Sequence, residues 1–255
     1  MLKYHLMLVL ASNSPRRKQL LTISGWDFHV AAPSVDETVR AGEPPDEYVR
    51  RMAVSKALAV LDGPHFGLPA DAVILAADTV VVDSIFWQGP ESPGSDELEI
   101  LGKPSSPKEA EAMLRRLRGR THRVFTGLAV ARASDRQLFS DVVITEVPMR
   151  AYSDAEIQMY IVTGDPFDKA GAYAIQHPVF RPVQNLQGCY TNVMGLPVCQ
   201  AAELLEQAGL PPPNDFGRKC QWALDHPCEI YQKALDIERQ QSSAPLNNDE
   251  ARLPE

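Results

Sequence analysis

The sequence predicts an α/β fold in which strands and helices alternate. Three stretches carry that prediction. Residues 6–11, LMLVLA, are a short continuous apolar run that reads as a core strand; the chain then breaks at Ser12-Asn13-Ser14-Pro15 and resumes as a helix. Residues 73–82, VILAADTVVV, are apolar on both faces, which places them centrally in a sheet. Residues 123–131 and 138–147 read as the two strands of a hairpin, joined by the polar turn 132–137.

Taken in order, the first junction is the densest in chemistry. Ser14 is placed to cap the helix, and Pro15 suits the first helical position, where its missing N–H would be unpaired anyway. Arg16 and Arg17 follow at once, so loop amides, a helix N-terminus, two serines and two guanidinium groups gather at one spot. A polyanion is attracted there, although a capped helix with two solvated arginines accounts for the same residues. Residues 26–32 read as a second strand and 33–37 as a loop. A helix then opens at Pro44-Pro45-Asp46-Glu47, with Val49, Met52, Ala53, Lys56 and Val60 on one face. Lys56 therefore points with the apolar stripe, either snorkelling to its edge or reaching into a cleft toward an anion. Asp78 interrupts the central strand, and a buried carboxylate needs a partner or an opening onto a cavity.

Residues 84–100 are rich in Pro, Gly, Ser and acids and read as an enlarged, disordered hairpin tip. Ser106-Pro107-Lys108-Glu109 has the pattern of a capping box before a helix that buries Ala110, Met113, Leu114 and Leu117 and ends at Gly119; Arg115, Arg116, Arg118 and Arg120 then form a solvated basic side. Ser153 to Glu156 starts another capped helix through Ile157, Tyr160 and Ile161, stopping at Gly164. The loop after it carries Asp168 and Lys169, which could neutralise each other at the surface, then small residues, then Gln176, equipped with both donor and acceptor. A turn at 187–197 leads to a helix through Ala202 and Leu205. Past Gly209 the character changes: Pro211 to Pro213 form a stiff linker, 216–239 a pair of short helices broken at Pro227, and 240–255 a disordered tail.

Composition excludes several classes. A net charge of −8 opposes general nucleic-acid binding while permitting a local basic pocket. Four cysteines with no CxxC pair suit reduced thiols in the cytoplasm, and Cys220, His226 and Cys228 are too sparse for zinc. The amino-terminal apolar run is too short for a signal-peptide core, and no run has the length to span a bilayer.

The string Leu10-Ala11-Ser12-Asn13-Ser14-Pro15-Arg16-Arg17 with Leu20-Leu21 closely resembles the opening motif of the Maf family of nucleoside triphosphate pyrophosphatases. Ala77-Asp78-Thr79-Val80, Leu101-Gly102-Lys103-Pro104 and the stretch from Asp168 to Gln176 agree with it in order. The resemblance runs from about residue 8 to about residue 205, which sets a domain at 1–209 and leaves 210–255 outside it. It implies an inosine-triphosphatase-like α/β fold, with a long mixed twisted sheet, flanking helices and a cleft between two lobes. It also implies a divalent cation, Mg²⁺ or Mn²⁺, and is compatible with a homodimer.

The residues offer candidates for each need of cleavage between α and β phosphates. Arg16, Arg17, Lys56, Lys103 and loop amides from Ser12 onward would hold the triphosphate. Glu37 and Asp78 would hold the cation, and Asp78 would take a proton from water. By resemblance Asp78 is the catalytic acceptor, Glu37, Lys56 and Lys103 line the site, and Ser12, Ser14, Asp168 and Lys169 join the substrate-binding set. Arg17, Thr79 and Gln176 match the branch that acts on dTTP and UTP. A 7-methyl-GTP pyrophosphatase, or a nucleotide-binding regulator of cell division without turnover, are the competing readings.

Overall fold

The computed structural model describes residues 6–63, 67–86 and 96–224. Residues 87–95 of the expected tip at 84–100, residues 225–239 of the expected pair of short helices with His226 and Cys228, and the expected tail at 240–255 lie outside the described residues. Six strands form one mixed sheet: β1 (Met7–Leu10), β2 (Phe28–Val30), β3 (Ala72–Phe86), β4 (Asp96–Leu101), β5 (Thr121–Arg132) and β6 (Leu138–Pro148). Five run in the order β2-β1-β3-β5-β6, and β4 pairs with β3 off that path. The helices are α1 (Pro15–Ser24), α2 (Pro45–Leu61), α3 (Pro107–Leu117), α4 (Asp154–Val162), α5 (Tyr190–Met194), α6 (Val198–Gln207) and α7 (Phe216–Leu224).

β3 is the spine, as its two-faced apolar run requires. Along one edge β5 pairs with it antiparallel from Val73 to Val82. Along the other edge two strands share it: β1, parallel, covers Ala72 to Leu75, and β4, antiparallel, covers Val81 to Phe86. Between them Ala77 to Val80 have no strand neighbour on that edge among the described residues. The gap lies beyond the carboxyl end of β1, where open α/β sheets leave a crevice.

Alternation along β3 sorts its side chains between two cores. Val73, Leu75 and Ala77 face a cluster built with α1, α5, α6 and α7, while Ala72, Ile74 and Ala76 face α2. Asp78 therefore points toward α2 and Thr79 toward the opposite layer. α2 lies close on the sheet because Gly127 of β5, opposite Asp78, carries no side chain: a Cβ there would stand 2.2 Å from the Val49 carbonyl oxygen.

Several local expectations need correction. Ser14 stands at the N-cap of α1 but its side chain makes no capping bond; instead Ser12 Oγ accepts from the Ser14 amide at 3.2 Å. Half of the box before α3 forms: Ser106 Oγ accepts from the Glu109 amide, whereas the Glu109 carboxylate turns to Ser105. The box before α4 is complete. Residues 84–86 and 96–100, expected as loop, are ladder, because the alternating Asp83-Ser84 and Leu98-Glu99 segments pair across the hairpin.

The basic side of α3 is not merely solvated. Arg116 Nε and Arg120 Nη1 donate at 2.7 and 3.2 Å to Asp83, which is fully buried, and Arg115 and Arg118 both pair with Asp154. Burying a carboxylate demands such partners. Beyond residue 209 the chain continues to pack on the same core, since Phe216 is fully buried with its ring centroid 5.9 Å from that of Trp26. The turn at 187–197 contains α5, whose first turn Cys189 Sγ caps by accepting from the Asn192 amide.

Replacing Gly127 by Ala forces α2 off the sheet or distorts β5. We expect a loss of about 1–3 kcal/mol, read as a lower denaturation midpoint, with a fall in whatever activity depends on α2 meeting Asp78.

Candidate active site

The gap beside Ala77–Val80 opens into a cleft of about 760 Å³. All twelve residues singled out from the sequence line it: Ser12, Ser14, Arg16, Arg17, Glu37, Lys56, Asp78, Thr79, Lys103, Asp168, Lys169 and Gln176. They come from six places in the chain, namely the turn into α1, the loop before α2, α2 itself, β3, the end of β4, and the segment after α4.

Asp78 has its partner in Lys56. The ammonium Nζ lies 2.6 Å from Asp78 Oδ1 and 2.6 Å from Glu37 Oε1, joining two carboxylates through one cation. Of the two readings of Lys56, the one that reaches into a cleft holds. Asp78 and Lys56 side chains are 12 % and 13 % exposed and Glu37 56 %, so the triad runs from the protein interior to the open cleft. Burial works to raise the Glu37 carboxyl, but the Lys56 hydrogen bond and the charges of Lys56, Lys103 and Arg17 override it and hold the group below its ordinary value. Nothing in the sequence fixes Glu37 to this place. Tyr48 does so, donating its hydroxyl to the Glu37 carbonyl at 2.9 Å. Burial, then the charges of Asp78 and Glu37, push that phenol up to about 12, so it remains a donor.

Arg17 is built into the wall. Nε donates to the Gly195 carbonyl at 2.8 Å, Nη1 to Ser12 Oγ at 3.3 Å and Nη2 to Thr79 Oγ1 at 3.1 Å. Burial lowers its pKa, opposed chiefly by the Asp78 charge. Three of its five N–H groups are thus engaged, which leaves two for a ligand in the cleft. Arg16 is less held: Nη1 meets Asp168 Oδ2 at 3.2 Å across the cleft, and Asp168 is 61 % exposed.

Asp168 and Lys169 are not a simple surface pair. Lys169 is buried, donates to the Asp165 carbonyl, and pairs with the carboxylates of Asp165 and Asp168. This holds the two short turns Asp165–Asp168 and Ala170–Ala172 against the end of β4, where the Gly171 amide donates to the Gly102 carbonyl at 3.1 Å. Lys103 follows Gly102 and is exposed on the cleft, and Gln176 is half-buried along its wall.

Sequence reasoning missed Tyr48, Thr126, Asn192 and Gly195. Thr126 lies opposite Thr79 across the β3–β5 ladder, with the two hydroxyl oxygens 3.0 Å apart. Only the strand register, unknown before folding, brings them together.

Among the described residues no group of three or more His, Cys, Asp or Glu side chains could hold a metal alone. The donor set fits a cation shared with a ligand: two carboxylates facing one cleft suit Mg²⁺, which keeps waters and takes one or two carboxylates plus phosphate oxygens. No helix among the described residues is long and apolar enough to cross a membrane.

Comparisons with known proteins agree with this geometry. A family model described as Maf-like protein matches residues 7–208. A dTTP/UTP pyrophosphatase of Thermomicrobium roseum is 46% identical over 205 residues, 80% of this chain and 85% of its own. Similar proteins of the same name come from Myxococcus xanthus, 45% identical over 207 residues covering 81% of this chain and 95% of its own, and Geotalea uraniireducens, 40% identical over 204 residues covering 79% and 95%.

Behind the cleft, Tyr173, which lines it, shares a hydrogen bond of 2.8 Å with His122 Nε2. Burial drives the His122 imidazole down to about 4, against the pull of Asp83 and with a small push from Arg120. The folded protein thus refuses a proton that the unfolded chain accepts near the ordinary value of 6.5. His122 supports the fold fully above about 6.5, and that support is lost as pH falls toward about 4. Equilibrium unfolding across this range should show stability dropping on acidification. In His122→Asn the drop between pH 6.5 and 5 should flatten.

Proposed function

The chain belongs to the Maf family, and from that premise we propose that it is a metal-dependent pyrophosphatase of dTTP and UTP, releasing the nucleoside monophosphate and pyrophosphate. One observation carries the reading: a buried carboxylate from the central strand and cationic groups from the first turn face the same cleft. The names of the relatives support the base preference.

In this reading Ser14, Arg16, Lys103 and the amides after Ser12 receive the triphosphate, whose negative charge competes with Asp168 for Arg16. Lys56 holds the Asp78 and Glu37 carboxylates on one ammonium at the cleft. Glu37 and Asp78 would hold a divalent cation, taken as Mg²⁺, which when bound would supply positive charge against the charge of the triphosphate. Asp78 accepts the proton of the attacking water as its oxygen bonds to phosphorus. The bond between the α-phosphorus and the α–β bridging oxygen then breaks, and the leaving pyrophosphate takes up the negative charge beside Lys103 and Arg16. Arg17, Thr79 and Gln176 meet the base edge, and Lys169 keeps their opposite wall in place. The reading sets the enzyme in the cytoplasm.

A panel of dTTP, UTP and 7-methyl-GTP with Mg²⁺ and product identification tests it. We expect pyrophosphate and monophosphate from dTTP and UTP, and Asp78→Asn to lower kcat by about 10²-fold or more. Equal turnover in Asp78→Asn would remove Asp78 from the chemistry. Tight binding of UTP without products would identify a sensor, and selective cleavage of 7-methyl-GTP would move the chain to the other branch.

A further inference from the structure

Two hydrogen-bond systems hold the segment after α4, and they differ in reach. The first is local. Lys169 Nζ donates to the Asp165 carbonyl and pairs with the Asp165 and Asp168 carboxylates. The Tyr160 hydroxyl donates to Asp165 Oδ2 at 2.6 Å and accepts from the Ala174 amide at 3.0 Å. These bonds join residues 160–174 to one another. They fix the shape of the segment but not its place against the sheet.

The second system reaches the sheet. The Gly171 amide donates to the Gly102 carbonyl at 3.1 Å, just past the end of β4. Two residues on, the Tyr173 hydroxyl shares its 2.8 Å hydrogen bond with Nε2 of His122, near the start of β5. His122 is 2 % exposed, and the two rings meet edge to face at 80°.

Between these anchors the backbone is strained. Gly171 (φ 67°) and Ala172 (φ 61°) both lie in the left-handed region. Glycine suits the first place, where a Cβ would stand 3.0 Å from the Val81 methyls, but Ala172 bears the cost of its own Cβ. Such a conformation persists only where its surroundings over-determine it. Contact with Val81 limits how near the turn can come to the sheet, and the burial of Ala172 holds it down without direction. The Tyr173–His122 bond is directional, and it keeps the turn from lifting or sliding along β5.

The residue that gains by this is Lys103. Its backbone neighbour Gly102 is tied to the turn, and Lys103 itself is exposed on the cleft. We infer that His122 and Tyr173 are positioning residues that act through the Ala170–Ala172 turn and the Gly102 carbonyl to set where the Lys103 ammonium stands. The inference rests on the proposed reading of Lys103 as a triphosphate contact.

A double-mutant cycle tests it. Calorimetry with Mg²⁺ gives the affinity for a UTP analogue with methylene in place of the α–β bridge oxygen, in wild type, Tyr173→Phe, Lys103→Ala and the double variant. Tyr173→Phe keeps the ring and removes the hydroxyl, and it should weaken binding about tenfold, the scale of one misplaced hydrogen bond to a charged group. Made in Lys103→Ala, the same change should alter binding by less than about twofold, because the group it acts through is gone. A Tyr173→Phe protein that binds like wild type overturns the inference. So does one whose loss is the same with and without the Lys103 ammonium, which would mark a brace unconnected to Lys103. Should Tyr173→Phe not fold, His122→Asn, whose amide stops short of the Nε2 position, takes its place with the same expected and contrary results. Wild type that neither binds the analogue nor cleaves UTP contradicts the proposed function instead.

Discussion

The pairing of Lys56 with Asp78 is the constraint around which the molecule is arranged. Asp78 lies in the middle of the longest strand, where an unpaired carboxylate costs several kcal/mol, on the order of 3–5 for a broken buried pair. Lys56 removes that cost only if α2 lies flat against the sheet, and this requires Gly127 beneath Val49. The same ammonium then draws in Glu37, so the loop before α2 closes over the cleft with Tyr48 as its anchor. Sheet packing and site geometry are one problem solved by the same residues.

The sheet's topology supplies the opening. β1 and β4 occupy the two ends of one edge of β3 and leave Ala77 to Val80 uncovered between them. Strand alternation then sends neighbouring side chains to different tasks. Asp78 faces α2 and its cation; Thr79 faces the layer that holds Arg17, Asn192 and Gly195. On the proposed reading, phosphate chemistry and base reading are separated by one residue of strand.

Much of this was legible in the chain. The Ser12–Arg17 turn, the Lys56 stripe and the interrupted strand at Asp78 each carry a local signal, because a proline at a helix start, a helical period and a charge in an apolar run are visible within a few residues. What escaped was set by long-range register or by partners far along the chain. Thr126 looks like an ordinary strand threonine until the β3–β5 ladder sets it opposite Thr79. Arg116 and Arg120 look solvated until β3 presents Asp83 to them. Nothing near Arg17 in the sequence shows that its Nε is tied to the Gly195 carbonyl, 178 positions away. Phe216 reads as the start of a short helix, as it is, but its ring partner Trp26, near the other end of the chain, is not visible in the sequence.

The central claim is that Asp78 and Glu37 meet the same triphosphate that the first turn receives. A crystal structure with a non-hydrolysable UTP analogue, its α–β bridge oxygen replaced by methylene, tests it most directly. The account predicts the α-phosphate beside Asp78 and Glu37, the terminal phosphates against Arg16 and Lys103, and uracil against Thr79. An analogue seated outside the cleft, or with its phosphates turned away from Asp78, would contradict it.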